Sequence, residues 1–429
     1  MASIGIVHGT VLTFDGEERV VPDATVVADQ GLISSITPDR AAPESDVAID
    51  ATGCAVLPGL VNAHTHAALT LLRGYADDMP LMPWLERKIW PAEGKLTEED
   101  AYWGTLLAIA EMVRGGITTF CDMFTHFEPV LRAVRESGIR CLPSMTLIGR
   151  DDDAFARLDR ACELSAQAKG AADGRITPML GPHAPYTCPD EFLQAVVARS
   201  AELNLGLHIH VSETVGEVRD SVSAYGLTPP QRLARLGVLD RPVLAAHCVH
   251  LTDQDMDLLA EKRVGVAHNP GSNMKLASGI APVPEMLQRG MAVGLGTDSA
   301  ASNNNLDLLE EVRLAALLHK LQAGDPTVLP AYEALALATR GSARALHLDG
   351  QIGSLEPGKR ADVIVVDLNQ PHTTPVYDVA SHLVYAARAS DVRHVLVDGV
   401  MLLRDRRLTR LDQPHVLREA ARRAQKVTG

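Results

Sequence analysis

The chain lacks any excess of positive charge: its 429 residues carry 40 Lys and Arg against 54 Asp and Glu, a net charge of −14. That deficit disfavours nucleic acid and anionic membrane as partners and leaves small, weakly charged ligands. No apolar run approaches the length of a membrane span. The start, Met1-Ala2-Ser3-Ile4-Gly5-Ile6-Val7-His8, has no basic segment leading into a long apolar one, so no signal peptide is expected. Six cysteines (Cys54, Cys121, Cys141, Cys162, Cys188, Cys248) are scattered without Cys-x-x-Cys spacing. Such scatter argues against a disulfide framework or a structural zinc site and for reduced, mostly buried thiols in a cytoplasmic protein. Repeats and low-complexity tracts are absent too.

What is present has ordinary globular composition, 46% apolar and 22% charged, and is longer than one core usually serves. Residues 1–56 hold short β-rich runs broken by Asp-Gly and Pro-rich turns. From residue 56 the pattern becomes short apolar runs alternating with helical segments, the sign of βα units and a parallel sheet. Eight runs are counted, at 55–63, 116–122, 139–147, 176–181, 206–211, 242–246, 263–267 and 292–296. Eight suits a closed (β/α)8 TIM-like barrel of the α/β class. Between the runs, Thr97-Glu98-Glu99-Asp100 reads as a capping-box start ended by Gly115-Gly116, and Thr252-Asp253-Gln254-Asp255 opens another helix. After about residue 350 the texture returns to β. The expected division is a composite β-sandwich from 1–56 and 350–410, a barrel at 57–349, and a helical tail at 411–429.

Catalytic residues of such barrels sit at the C-terminal ends of the strands, and the unusual polar residues of this chain fall there. The first run ends in His64-Thr65-His66, and in an extended strand positions i and i+2 share a face, so two imidazoles can share one ion. The fourth run reaches His183, the fifth reads His208-Ile209-His210-Val211-Ser212-Glu213, the sixth ends in His247, the seventh in His268 and the eighth in Asp298. Three neutral imidazoles plus one carboxylate with an open position make a hydrolytic metal site, suited to zinc or to ferrous iron. His64, His66, His210 and Asp298 are assigned as ligands. Spacing alone does not choose between His208 and His210; His210 is preferred because it leaves Glu213 at the barrel mouth, with His208 deeper and hydrogen-bonded. A bound metal lowers the pKa of its water from about 15.7 to about 7 and so supplies a nucleophile. Glu213 is then placed to carry the proton, His247 to orient the attack or stabilise developing charge, and Asp298 to relay a proton to the leaving group. His250 and His268 read as surface or supporting groups. A dinuclear site would need a bridging group, commonly a carbamylated lysine, at the end of the fourth run; Pro178-Met179-Leu180-Gly181-Pro182-His183 has none, so one metal per subunit is expected and His183 is free to meet substrate.

Pro58-Gly59-Leu60-Val61-Asn62-Ala63-His64-Thr65-His66 and Gly353-Ser354-Leu355-Glu356-Pro357-Gly358-Lys359-Arg360-Ala361-Asp362 resemble hallmark segments of the amidohydrolase superfamily, and the resemblance spans essentially the whole chain. Within it, Met82-Pro83-Trp84-Leu85, Ile89-Trp90-Pro91-Ala92-Glu93, Gly181-Pro182-His183-Ala184-Pro185-Tyr186, residues 268–276 and residues 296–305 resemble the 5′-methylthioadenosine/S-adenosylhomocysteine deaminase family. The resemblance implies that Glu93 binds ribose hydroxyls, that His183 contacts the nucleoside and that Glu213 sits against purine N1. Members accepting S-adenosylhomocysteine look to grip its carboxylate with two arginines after the third strand; here the second falls on Arg157 and the first on Met145, with Arg140 or Arg150 as substitutes. A methionine at the first position favours the apolar 5′-methylthio group. Triazine dechlorination, or deamination of another aminopurine or pterin, is the competing reading, against which Glu93 and Asn303 to Asn305 argue. A non-catalytic metal-binding protein is the remote one. The expected partner is a small nucleoside substrate, and the subunit is expected to form a homo-oligomer.

Overall fold

The computed structural model describes residues 2–38 and 45–429. Its organising element is a sheet of eight parallel strands, β1 (Leu60–Thr65), β2 (Ile117–Phe124), β3 (Arg140–Leu147), β4 (Met179–Pro182), β5 (Gly206–Val211), β6 (Val243–His247), β7 (Gly265–His268) and β8 (Ala292–Leu295), each paired with the next. Just past β8, Asp298 bridges Thr65, and the Asp298 N–H donates to the His64 carbonyl at 3.0 Å, which brings the last strand back to the first. The result is the (β/α)8 barrel, with helices between the strands. All eight expected runs are strands, but the first is divided. Residues 54–58 belong to the other sheet and β1 begins only after Gly59. A Cβ on Gly59 would lie 2.1 Å from Thr118 Oγ1, so no larger residue fits where the chain passes from one sheet to the other.

That other sheet is mixed and nine-stranded, and it joins the two ends of the described chain: Cys54–Pro58 pairs antiparallel with Val363–Asp367 and parallel with Ile4–Leu12. The two-residue period of these strands sorts their side chains. Leu57, Ile364 and Val366 face the main core shared with the barrel, while Val56, Val363 and Val365 face a separate apolar cluster with Ile6 and Val26. The capping signals are realised as expected. Thr97 and Asp100 form a capping box on helix Glu98–Arg114, and Thr252 and Asp255 form one on helix Asp253–Glu261. The terminal helix Gln413–Thr428 docks on the first of these through Arg423 Nη1, which donates to Asp100 Oδ1 at 2.9 Å.

Arg140 corrects one expectation. It opens β3 at the end of the barrel opposite the histidines, buried at 3% exposure, where Nε and Nη2 donate to both oxygens of Asp362 at 3.1 Å and Nη2 also donates to Asp398 Oδ1 at 2.6 Å. It therefore clamps the barrel floor to the terminal sheet and cannot reach a ligand at the other end. This also explains the Lys359-Arg360-Ala361-Asp362 segment, whose aspartate carries the joint. Removing the cation would strip the buried Asp362 of its arginine and leave Asp398 only the longer contacts to Arg175 and Arg360, at 3.6 and 3.7 Å. Arg140→Met should lower unfolding stability by about 3–5 kcal/mol, measured as a reduced urea midpoint; a loss under about 1 kcal/mol would contradict the assignment.

Candidate active site

At the C-terminal ends of the strands, a chain of hydrogen bonds fixes which nitrogen of each imidazole carries the proton. Ser144 Oγ donates to the Asp122 carbonyl at 2.8 Å, so its oxygen accepts from His208 Nδ1 at 3.0 Å. His208 Nε2 is then an acceptor, and His64 Nδ1 donates to it at 2.8 Å. His66 Nδ1 donates to the Met123 carbonyl at 2.7 Å, and His210 Nδ1 to the His183 carbonyl at 2.7 Å. With every Nδ1 acting as donor, the Nε2 atoms of His64, His66 and His210 converge at the barrel mouth, and each is the nitrogen that carries the lone pair when its ring is neutral. His208 is thus the buried, hydrogen-bonded histidine that the spacing left open, and it holds the tautomer of His64.

Asp298 completes the convergence. Its Oδ2 accepts from Ser272 Oγ at 2.6 Å and Ser302 Oγ at 2.9 Å, which turns Oδ1 toward His64 Nε2 at 3.3 Å and His66 Nε2 at 3.4 Å. The set His64, His66, Asp298 and the set His64, His210, His247 each bring three ligand atoms within 4.8 Å of one another. His64 Nε2 is completely buried and makes no hydrogen bond of good geometry. Burial pushes His64 down to about 4 and holds His210 well below the ordinary imidazole range, so both are neutral donors of electron pairs. Burial opposes an imidazolium at His66 as well, but the hydrogen bond and charge of Asp298 outweigh it and lift the group to about 9. A proton is thus drawn to the spot where lone pairs and a carboxylate crowd together. A divalent cation satisfies the same atoms, and the residues present fit one.

Above the cluster opens a cavity of about 440 Å³. Its floor is His66, His183, His210, Glu213, His247 and Asp298; its walls include Leu81, Trp84, Leu85, Ile89, Leu96, Ile148 and Leu276. Glu213 is 6% exposed, its carboxyl raised above the usual range by burial, and its Oε2 lies 3.8 Å from His247 Nε2. The His247 Nδ1 donates to Asn273 Oδ1 at 2.9 Å, which turns Nε2 to the floor. His183 Nδ1 donates to Thr187 Oγ1 at 3.1 Å, and burial pushes its pKa down to about 3. Glu93, at the end of the helical turn Trp90–Glu93, also lines the cavity, its carboxyl raised by burial.

The residues after β3 fall out differently from expectation. Ser144 reaches His208, and Thr146 and Ile148 line the cavity, so alternate residues of β3 face inward and Met145 packs against the core beside them, off the cavity wall. Arg150 is exposed and does not line the cavity either. Arg157 does, but its Nε donates to Asp153 Oδ2 at 2.9 Å and its Nη1 to Asp151 Oδ2 at 3.1 Å. Asn303, Asn304 and Asn305 bind the protein itself: Asn303 Nδ2 donates to the Thr297 carbonyl and to Glu311, Asn304 accepts from Lys275 Nζ, and Asn305 Oδ1 caps the Asp307 N–H. His268 turns away from the site to His319, 3.3 Å distant. Ser272, Ser302, Asn273 and the Ser144–His208 relay had no signal of their own in the sequence, because loops remote in the chain bring each to its partner.

The class that this fold and donor set define is a (β/α)8 hydrolase with a metal-fitting centre at the strand ends. The chain belongs to the amidohydrolase family, whose pattern residues 55–402 match. It is 51% identical over 427 residues, 99% of its length and 98% of the relative's, to a 5-methylthioadenosine/S-adenosylhomocysteine deaminase of Pelotomaculum thermopropionicum. Among solved structures it resembles a zinc-bound adenosine deaminase from Xanthomonas campestris at 38% identity, with a TM-score of 0.94 and 99% and 98% of the two chains covered. It also resembles a zinc complex of atrazine chlorohydrolase from Arthrobacter aurescens at 28% identity, with a TM-score of 0.90 and 98% and 100% covered.

If His208 sets the tautomer of His64, a ring of similar shape without nitrogen should release that proton to the wrong position. His208→Phe is expected to leave the fold intact and weaken divalent-metal binding by about 10–100-fold in a chelator competition; unchanged affinity would contradict the relay.

Proposed function

We propose that the protein hydrolytically deaminates adenosine-type nucleosides, 5′-methylthioadenosine and S-adenosylhomocysteine among them, to the inosine analogue and ammonia. The observation that carries this reading is that two acids line one largely apolar cavity, the buried Glu213 beside the imidazole cluster and the half-buried Glu93, which would take the ribose. The activity named for the Pelotomaculum relative supports it. His64, His66, His210 and Asp298 would hold one divalent cation per subunit, which when bound polarises water and so supplies a nucleophile at neutral pH. The zinc in two similar structures supports zinc, with ferrous iron the alternative.

The chain's own groups do the rest. Glu213 takes one proton from the attacking water and delivers it to purine N1, which makes C6 electrophilic. The adduct at C6 is tetrahedral, and His247, with Nε2 turned to the cavity floor, orients the attack and stabilises the developing charge. Asp298 passes the second water proton to the amino group, which leaves as ammonia while C6 becomes a carbonyl. Glu93 accepts from the two ribose hydroxyls, and the neutral His183 contacts the nucleoside. Around the 5′ position the wall is apolar and the Arg157 guanidinium is already engaged by Asp151 and Asp153, which favours the methylthio group over an anionic tail.

The division into a 1–56 and 350–410 terminal unit, a 57–349 barrel and a 411–429 tail is part of the same proposal, as are a homo-oligomeric state, a cytoplasmic location and a free nucleoside as partner. The net charge and six unpaired cysteines support the last two. Among the described residues no helix is long and apolar enough to cross a membrane.

Metal-loaded protein incubated with methylthioadenosine, S-adenosylhomocysteine, adenosine and guanine should release ammonia from the adenine nucleosides and none from guanine, with the highest kcat/KM for methylthioadenosine. No ammonia from any adenine nucleoside would overturn the reading. Glu213→Gln should keep its metal and lose about 10²–10⁴ in kcat; a parental rate would remove Glu213 from the proton path.

A further inference from the structure

Glu217 is a buried acid that the reaction above does not use. It lies in the first turn of helix Val215–Tyr225, 9% exposed, with no cation paired to it among the described residues; burial raises its carboxyl above the usual range, and the backbone N–H groups of Glu213 and Ser212 act against that by favouring the carboxylate. It does not line the cavity. Its two oxygens fold back onto the backbone instead: Oε1 accepts from the Ser212 N–H at 3.0 Å and Oε2 from the Glu213 N–H at 2.8 Å.

The peptide held in this way is fixed from its other side as well. The Ser212 carbonyl accepts from the N–H groups of Val249 and His250 at 3.1 and 3.0 Å, and the Val211 carbonyl accepts from Cys248 N–H at 3.0 Å. Ser212, His247 and Cys248 all have left-handed backbones, with φ of +51°, +72° and +50°. These are conformations that a non-glycine residue keeps only when its surroundings impose them. The loop after β5 and the loop after β6 are therefore locked to one another, with Glu217 as the acceptor that closes the lock on the Glu213 side.

We propose that Glu217 is a positioning residue: by accepting both N–H groups it sets the backbone of Glu213 so that the Glu213 carboxylate meets the reacting face beside His247. The inference rests on the reading of Glu213 as the proton carrier. A glutamine has the same shape but one acceptor oxygen, and its amide would point N–H at N–H, so only a doubly accepting carboxylate completes the lock.

The test is steady-state kinetics on the metal-loaded enzyme with 5′-methylthioadenosine, together with metal content and melting temperature. Glu217→Gln should lower kcat about 10–100-fold, with KM within about threefold and metal content unchanged. A kcat within about twofold of the parent overturns the proposal. So does a drop in kcat that tracks loss of metal or an equal rise in KM, since either marks a merely structural role. Should Glu217→Gln not fold, Thr214→Ala, which removes the side chain that accepts from the Glu217 N–H, should lower kcat several-fold at constant KM, and an unchanged kcat there overturns it equally. Glu213→Gln assayed alongside separates the two readings: if it is inactive while Glu217→Gln is normal, only the positioning role fails, and if it is fully active, the proton-carrier role fails and takes this one with it.

Discussion

The site depends on where four imidazole protons go. His64, His66, His210 and His247 each give the Nδ1 proton to a fixed acceptor, and the acceptors are a second histidine, two backbone carbonyls and an asparagine oxygen. What remains is an Nε2 atom of each ring aimed at the barrel mouth, a lone pair at the neutral His64 and His210 and a nitrogen at His66 that shares a proton with Asp298, whose Oδ1 is turned to the same place by two serine hydroxyls. Electron pairs crowded in a buried space repel one another, and a buried acceptor without a donor is costly. A cation reverses both terms. The reactive geometry thus follows from hydrogen bonds made behind the site, and those bonds follow from the barrel, whose strand ends carry the rings at a common level.

Holding that level requires backbone that would not form alone. Ser212, His247, Cys248 and Asp298 follow or end strands with positive φ, at an expected cost of about 1–3 kcal/mol each. The closure of the barrel is equally tight, since a Cβ on Gly296 would lie 2.3 Å from Asn269 Oδ1 and 2.9 Å from His64 Cβ. These strained turns persist because the rest of the molecule is rigid beneath them. The terminal sheet packs its Leu57, Ile364 and Val366 against the main core, and the Arg140 joint fixes the opposite end of β3.

What the sequence revealed and what it hid divide along physical lines. His64-x-His66, the eight apolar runs and the capping boxes at Thr97 and Thr252 are local patterns with a period, and the structure realises them. Glu93, His183 and Glu213, to which the family resemblance assigns substrate contacts, line one cavity. Met145 failed because a one-residue shift in a strand exchanges its two faces, so the cavity received Thr146 and Ile148 instead. Arg140 failed because nothing local tells one end of a strand from the other once a charged residue begins it, and its two aspartates lie 222 and 258 residues away. Residues 303–305 weighed against the triazine reading in the sequence, and in the structure their side chains bind the protein itself around the turn that carries Ser302. The roles of Ser272, Asn273 and Glu217 are likewise set by long-range closure, which no window of sequence contains.

The central claim, that the converging lone pairs and Asp298 Oδ1 hold one divalent cation, is tested most directly by anomalous diffraction from crystals of the zinc-loaded protein at the zinc edge. The account predicts a single peak per subunit, bounded by Nε2 of His64, His66 and His210 and by Asp298 Oδ1. Two peaks, or one peak away from these four atoms, would contradict it.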